Sequence, residues 1–299
     1  MNLEPGQQVA AKSWGYKELL KPRIVFLNLI VAVAGMFLAW GTNVVPTVLV
    51  LTLVTGGIGA AGASTINGYL DRDIDAVMVR TKLRPIAAGH ISPATKALYL
   101  GVILVVVSLL ASGFLINWLT SFFIGLGVAF YVIVYTLWLK RRSVYNIVIG
   151  GFAGSCSGLA GWAAASNSIG IPAILLALLI FLWTPGHFWP LALRFKADYA
   201  RANIPMLPVI MGEEKTVRII ATSNFLTVAF AFTFYFFSSV GLVYLTIAAL
   251  LGGLMVMANI KLLKQPTSKE AWKVFKFSNI YLLLILIGLV VGSVLSVSL

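Results

Sequence analysis

Asn67-Gly68-Tyr69-Leu70-Asp71-Arg72-Asp73-Ile74-Asp75 closes an apolar run over 44–70 that is long enough to cross a bilayer. In an α-helix each residue turns about 100°, so Asn67, Asp71 and Asp75 fall within about 80° of one another. They form one polar stripe of an amide and two carboxylates. Asp73 points about 200° away from Asp71 and belongs to another face. Two like charges one turn apart repel, and burial in a membrane makes each carboxylate costlier. A cation between them relieves both. Mg²⁺ characteristically takes one or two carboxylates together with substrate phosphates and waters. Just downstream stand Arg80, Lys82 and Arg84, of which the arginines suit bidentate phosphate contacts and the lysine offers a compact charge. Carboxylates, a divalent cation and basic side chains at the mouth of apolar helices describe a site for a lipid diphosphate. The plain alternative is a solvated loop whose charges only fix topology.

Outward from that stretch the apolar pattern repeats. The 299 residues are 60% hydrophobic and 10% charged, where a soluble domain carries about 25% charged residues. Candidate membrane segments fall at about 24–41, 44–70, 97–115, 119–139, 144–165, 169–190, 219–237, 240–260 and 277–297, each near the roughly 20 residues a bilayer requires. The expectation is an all-α polytopic membrane bundle of nine helices. It is one domain over 1–299, with 1–20 as an N-terminal cytoplasmic segment. A net charge of +13 invites a nucleic-acid partner, but all 22 Lys and Arg fall in five regions. These are 12–23, 72–96, 140–142, 194–218 and 261–276. With nine spans all five lie on one face, which the positive-inside rule makes cytoplasmic. The N-terminus is then inside, the C-terminus outside, and the partner is the lipid of the cell membrane rather than nucleic acid. The nine acidic residues and both histidines share that face, so the chemistry opens there. The single Cys156 can form no internal disulfide, and the polar first twenty residues lack the apolar core of a cleavable signal peptide.

The spacing Asn67-xxx-Asp71-xx-Ile74-Asp75-xx-Met78-x-Arg80-Thr81-xx-Arg84-xxxx-Gly89 resembles the signature of the UbiA prenyltransferase superfamily. Its members are nine-helix membrane enzymes that ionise a prenyl diphosphate with Mg²⁺ and transfer the prenyl group to an acceptor. A second stretch carries Trp183-Thr184-Pro185-Gly186-His187-Phe188-Trp189, Lys196-Ala197-Asp198-Tyr199 and Ile204-Pro205-Met206-Leu207-Pro208. With Lys140-Arg141 before Asn146 to Gly151, and Lys21-Pro22-Arg23 before the first span, it is similar to the haem branch of that superfamily. That branch attaches farnesyl, from farnesyl diphosphate, to protoheme IX and so makes haem O. The resemblance implies Asn67, Asp71, Asp75, Asp198 and Tyr199 as catalytic residues. It implies Arg80, Lys82, Arg84, Lys140, Arg141 and Lys196 as diphosphate ligands. Mg²⁺ would rest on Asp71 and Asp75, with Asp198 as a further candidate ligand. A contact with terminal oxidase assembly or with haem A synthase also follows from it. Asp198 is followed four residues later by Ala202 rather than a second Asp, like the haem branch and unlike the quinone branch. Gly186 stands where the branch usually has proline, and Ser157-Gly158 where it usually has a proline pair.

His187, among Trp183, Phe188 and Trp189, offers an imidazole suited to haem iron and rings suited to a porphyrin face. His187, Trp183 and Trp189 are therefore the haem-binding candidates; a histidine hydrogen-bonded within an interfacial aromatic belt is the alternative. His90 reads as a turn residue or a neighbour of the diphosphate, and the glycine-rich run 56–62 as close helix packing. Two other functions stay open. A prenyltransferase acting on an aromatic quinone precursor would differ at the His187 and Asp198 segments. A transporter would need ionisable groups in the outer half, where this chain has none.

Overall fold

The computed structural model describes residues 16–295; residues 1–15 of the N-terminal segment and the end of the ninth apolar run lie outside the described residues. Nine helices among them are long and apolar enough to cross a membrane. They are α1 (Pro22–Trp40), α2 (Pro46–Leu70), α3 (Thr95–Leu115), α4 (Trp118–Leu139), α5 (Asn146–Ser166), α6 (Ile171–Arg194), α7 (Gly212–Phe237), α8 (Gly241–Lys264) and α9 (Ser268–Leu295). The boundaries follow local chemistry. Pro22 and Pro46 occupy first turns, where a missing N–H costs nothing. The Asn117 side chain accepts from the Thr120 N–H at 2.8 Å and starts α4. Asn167 ends α5 in the left-handed conformation. α7 begins earlier than its apolar run because one polar turn, with Glu213, Glu214 and Lys215, continues the helix beyond the hydrocarbon region.

Neighbouring helices in the chain pack against one another, and α9 returns against α1 to close the bundle. Inside it α1 also packs along α5, and α6 along α9. The α1–α5 contact needs glycine. A Cβ on Gly161 would overlap the Ala32 carbonyl, and one on Gly35 the Gly158 carbonyl; only hydrogen at those positions lets the backbones meet. The glycine run of α2 divides its work. Gly59 and Gly62 abut Ser108 and Gly101 of α3, as close packing predicts, whereas Gly56 faces an internal cavity.

Candidate active site

The acidic stripe survives a break in its helix. α2 stops at Leu70, Asp71 adopts φ −91°, and a short helix resumes over Arg72–Val77. The main-chain bonds from Asp71 N–H to the Asn67 carbonyl (2.9 Å) and from Asp75 N–H to the Asp71 carbonyl (2.8 Å) still bridge the break. Helical phase therefore holds. Asn67, Asp71 and Asp75 are buried together, while Asp73 stands exposed on the other side. Its partner is Arg141, which grips both Asp73 oxygens at 2.6 Å. That hydrogen-bonded guanidinium holds the Asp73 carboxyl below its usual range.

Each buried polar atom of the stripe has a particular partner. Asp71 Oδ2 accepts from Lys140 Nζ at 2.6 Å and from Asn67 Nδ2 at 2.7 Å. Asn67 Oδ1 accepts from Lys21 Nζ at 2.6 Å, and its amide also donates to Thr136 Oγ1 at 3.0 Å. Both Asp75 oxygens accept from one Arg84 nitrogen, at 2.9 and 2.7 Å. Asp71 Oδ1 is different: it is buried and has no hydrogen-bond partner. A lone carboxylate oxygen on a residue 1% exposed is a costly arrangement unless something ligates it. Asp71 therefore suits a divalent cation with one oxygen ready. Asp75 would first have to be released by Arg84.

Lys140 and Thr136 reach this cluster through unusual backbone geometry. The half of α4 nearer the acidic stripe, Phe130–Leu139, is a π-helix, with bonds such as Lys140 N–H to the Tyr135 carbonyl at 2.8 Å. Such a helix turns only about 82° per residue, since its bonds run i to i+5. Tyr131, Tyr135, Thr136 and Lys140 then lie within about 80° of each other. In an α-helix Lys140 would stand about 180° from Tyr131.

Asn67, Asp71, Asp75, Tyr131, Tyr135 and Lys140 line one cavity of about 490 Å³. Its charged end holds Lys21, Asp71, Asp75, Arg80, Arg84 and Lys140. Burial among those cations pushes the Lys21 ammonium down to about 7. Tyr199 also faces in, with Arg80 donating to its hydroxyl at 3.5 Å. The apolar body of the cavity runs between α1, α2, α4 and α5, down to Thr52 and Phe123. Its lining includes Ile24 and Leu27 of α1, both exposed.

Five of the sequence-derived candidates do not line the cavity: Lys82, Arg141, Lys196, Asp198 and Trp189. Lys82 faces solvent. Arg141 is taken by Asp73, and Lys196 pairs with Glu213 at 3.2 Å. Asp198 accepts from the Arg80 backbone N–H at 3.1 Å and from Arg201 at 3.3 Å, so it anchors the loop that carries Arg80. Trp189 is buried in the core beside Tyr199, Ile204 and Met206. It lies two residues, about 200° of helix, beyond His187, and the arithmetic that set Asp73 apart sets it apart too. The unpredicted member is Lys21.

A second wall of the same cavity comes from α6 and α9. His187 is sandwiched between Trp183 (4.1 Å, 12°) and Phe275 (4.7 Å, 24°). Its Nδ1 lies 2.6 Å from Ser278 Oγ, and that hydroxyl donates its only proton to the Phe275 carbonyl at 2.8 Å. With Nδ1 engaged by the serine, Nε2 is the ring nitrogen left for a ligand. Both ring faces are covered, so the imidazole can offer the cavity an edge nitrogen but no face for stacking.

Comparisons with known proteins bear on the fold and the family. Residues 28–287 match the model of the UbiA prenyltransferase family. A protoheme IX farnesyltransferase of Metallosphaera sedula is 46% identical over 279 residues, 93% of this chain and 96% of that one. One from a Synechocystis species is 44% identical over 280 residues, covering 93% and 88%. Among solved structures, one of a digeranylgeranylglyceryl phosphate synthase superimposes with a TM-score of 0.77 at 22% identity, over 93% of this chain and 97% of that one. A UbiA homolog from Archaeoglobus fulgidus bound to GPP and Mg²⁺ gives 0.65 at 16% identity, over 95% and 99%. With the nine-helix bundle, the buried acidic stripe and a family match across most of its length, the chain belongs to the UbiA prenyltransferase family.

Proposed function

We propose that the chain transfers a farnesyl group from farnesyl diphosphate to a vinyl group of protoheme IX, giving haem O and diphosphate. It does so in the cell membrane with its charged face toward the cytoplasm. One observation carries the reading: a diphosphate-type cluster and a histidine with a free Nε2 open onto a single apolar cavity. The names of relatives above 40% identity point to the same acceptor.

Lys21, Arg80, Arg84 and Lys140 bind the diphosphate and stabilise the charge it gains as it leaves. Asp71, through its free Oδ1, and Asp75, once Arg84 turns to the diphosphate, would hold Mg²⁺. The ion supplies neutralising charge to the leaving group when bound. Asn67 keeps the stripe in order, accepting from Lys21 and donating to Asp71. The C1–O bond of the donor breaks with its electron pair going to diphosphate. The haem vinyl group then gives its π electrons to C1, and water adds to the cation left beside the porphyrin and releases a proton. His187 holds the haem by its iron through Nε2. Trp183 and Phe275 fix the imidazole plane. The apolar walls exclude water until the new C–C bond exists.

The test is mass spectrometry of haems extracted from cells that express the chain, with and without His187→Ala. Farnesylated haem from the wild type, and a shifted haem absorption spectrum in His187→Ala with donor binding intact, are the expected results. Prenylated quinone precursor in place of haem O would overturn the acceptor.

A further inference from the structure

Along α4 the cavity lining changes character in order. Phe123, Ile124 and Val128 face the apolar body, Lys140 faces the carboxylates, and Tyr131 and Tyr135 stand between them. Their rings are parallel within 8°, with centroids 6.0 Å apart. The Lys140 ammonium lies 5.9 Å from the Tyr135 centroid, so that ring already turns toward the cationic end. Neither tyrosine hydroxyl has a hydrogen-bond partner among the described residues. The pair has a built seat as well. A Cβ on Gly150 would come within 2.6 Å of Tyr135 Cδ2, so glycine there keeps the ring in position. The π-helix described above is what brings the two rings and Lys140 to one side.

We propose that the Tyr131–Tyr135 ring pair is the surface against which the allylic cation forms, stabilising it through the ring faces and not through the hydroxyls. The inference rests on the prenyl-transfer reading and adds to it the groups that meet the carbon. As the C1–O bond breaks and both electrons leave with diphosphate, positive charge spreads over the allylic carbons at the junction of the charged and apolar ends. Water is unwelcome there, and a carboxylate would capture the cation. An aromatic face attracts positive charge and forms no bond to it. The charge then passes to the haem side when the vinyl electrons make the new bond, and the rings emerge unchanged.

The experiment uses the full-length chain in lipid nanodiscs with farnesyl diphosphate, haem and Mg²⁺, read by single-turnover diphosphate release. Position 135 carries phenylalanine, then phenylalanines with one, two and three ring fluorines, then leucine. Each fluorine weakens the negative ring face while hardly changing its shape. The rate should fall stepwise with fluorine number, and Tyr135→Leu should lie on the order of 30-fold below Tyr135→Phe. Donor affinity should stay level across the series. If Tyr135→Leu misfolds, the near-isosteric fluorinated set still decides. A flat fluorine series in an enzyme whose wild type turns over would overturn the ring assignment and leave prenyl transfer standing. A wild type that released no diphosphate with haem would overturn both.

Discussion

At Asp71 two cationic or amide donors share one carboxylate oxygen while the other oxygen waits. Asp71→Asn keeps the shape but removes the charge that Lys140 answers and that a metal would need. We expect transfer to drop by at least about 100-fold at saturating donor, with the protein still folded by thermal melting in detergent. Asp75→Asn should behave similarly, since it leaves Arg84 without its counter-charge. Asp73→Asn should cost little, because an exposed pair with Arg141 contributes at most about 1 kcal/mol. Equal losses at all three positions would refute the facing deduced from helical phase. Lys21 gives a pH signature. Its ammonium, pushed down from 10.5 to about 7 by burial, is lost as pH rises through neutrality, while a bound diphosphate draws the proton back. Donor binding should weaken above pH 7 and take up a proton at pH 8, measurable by titration calorimetry in two buffers of different ionisation enthalpy. Lys21→Arg should abolish that uptake. For folding the sign is reversed: this group binds fewer protons folded than unfolded, so its contribution to stability increases with pH between about 7 and 10.5.

Among the elements, α1 and α5 touch backbone to backbone. Gly161→Val puts a branched carbon against the Ala32 carbonyl, and the helices must separate. A loss of about 1–3 kcal/mol in denaturant unfolding is expected, whereas Gly253→Ala, where a Cβ would meet nothing within 4 Å, should be neutral. What the sequence revealed about elements depended on period. Nine spans were legible because a hydrocarbon slab sets a length, and the stripe because 3.6-residue phase sorts Asp71 from Asp73. Trp183 and His187, four apart, obey the same phase; Trp189 breaks it and could have been set aside on that ground. The π-helical half of α4 left no mark, because a bond from i to i+5 instead of i+4 changes no residue type. Lys21 was hidden by distance, 46 residues from Asn67, and by a place beside Pro22 that read as a span boundary. In the loop over 78–89 no period exists, so Arg80, Lys82 and Arg84 looked alike although only the two arginines turn inward.

For the whole molecule, the charge pattern predicts an orientation that can be measured. A reporter after Leu299 should signal from the outer compartment, and one inserted near Gln265 from the cytoplasm; the same side for both would refute nine crossings. Because every charged side chain lining the cavity lies at one end, the diphosphate must be held in that half of the bundle. The π-helix adds a final consequence, for how the gene can change. Deleting one residue between Thr136 and Leu139 would let that stretch relax into ordinary α-helix, gaining better backbone bonds. It would also turn Lys140 by roughly 60–100° from its present facing toward Asp71. A shortened chain could thus fold more firmly and catalyse nothing. The irregular turn persists as a reading frame of geometry, in which the length of the helix is itself part of the active site.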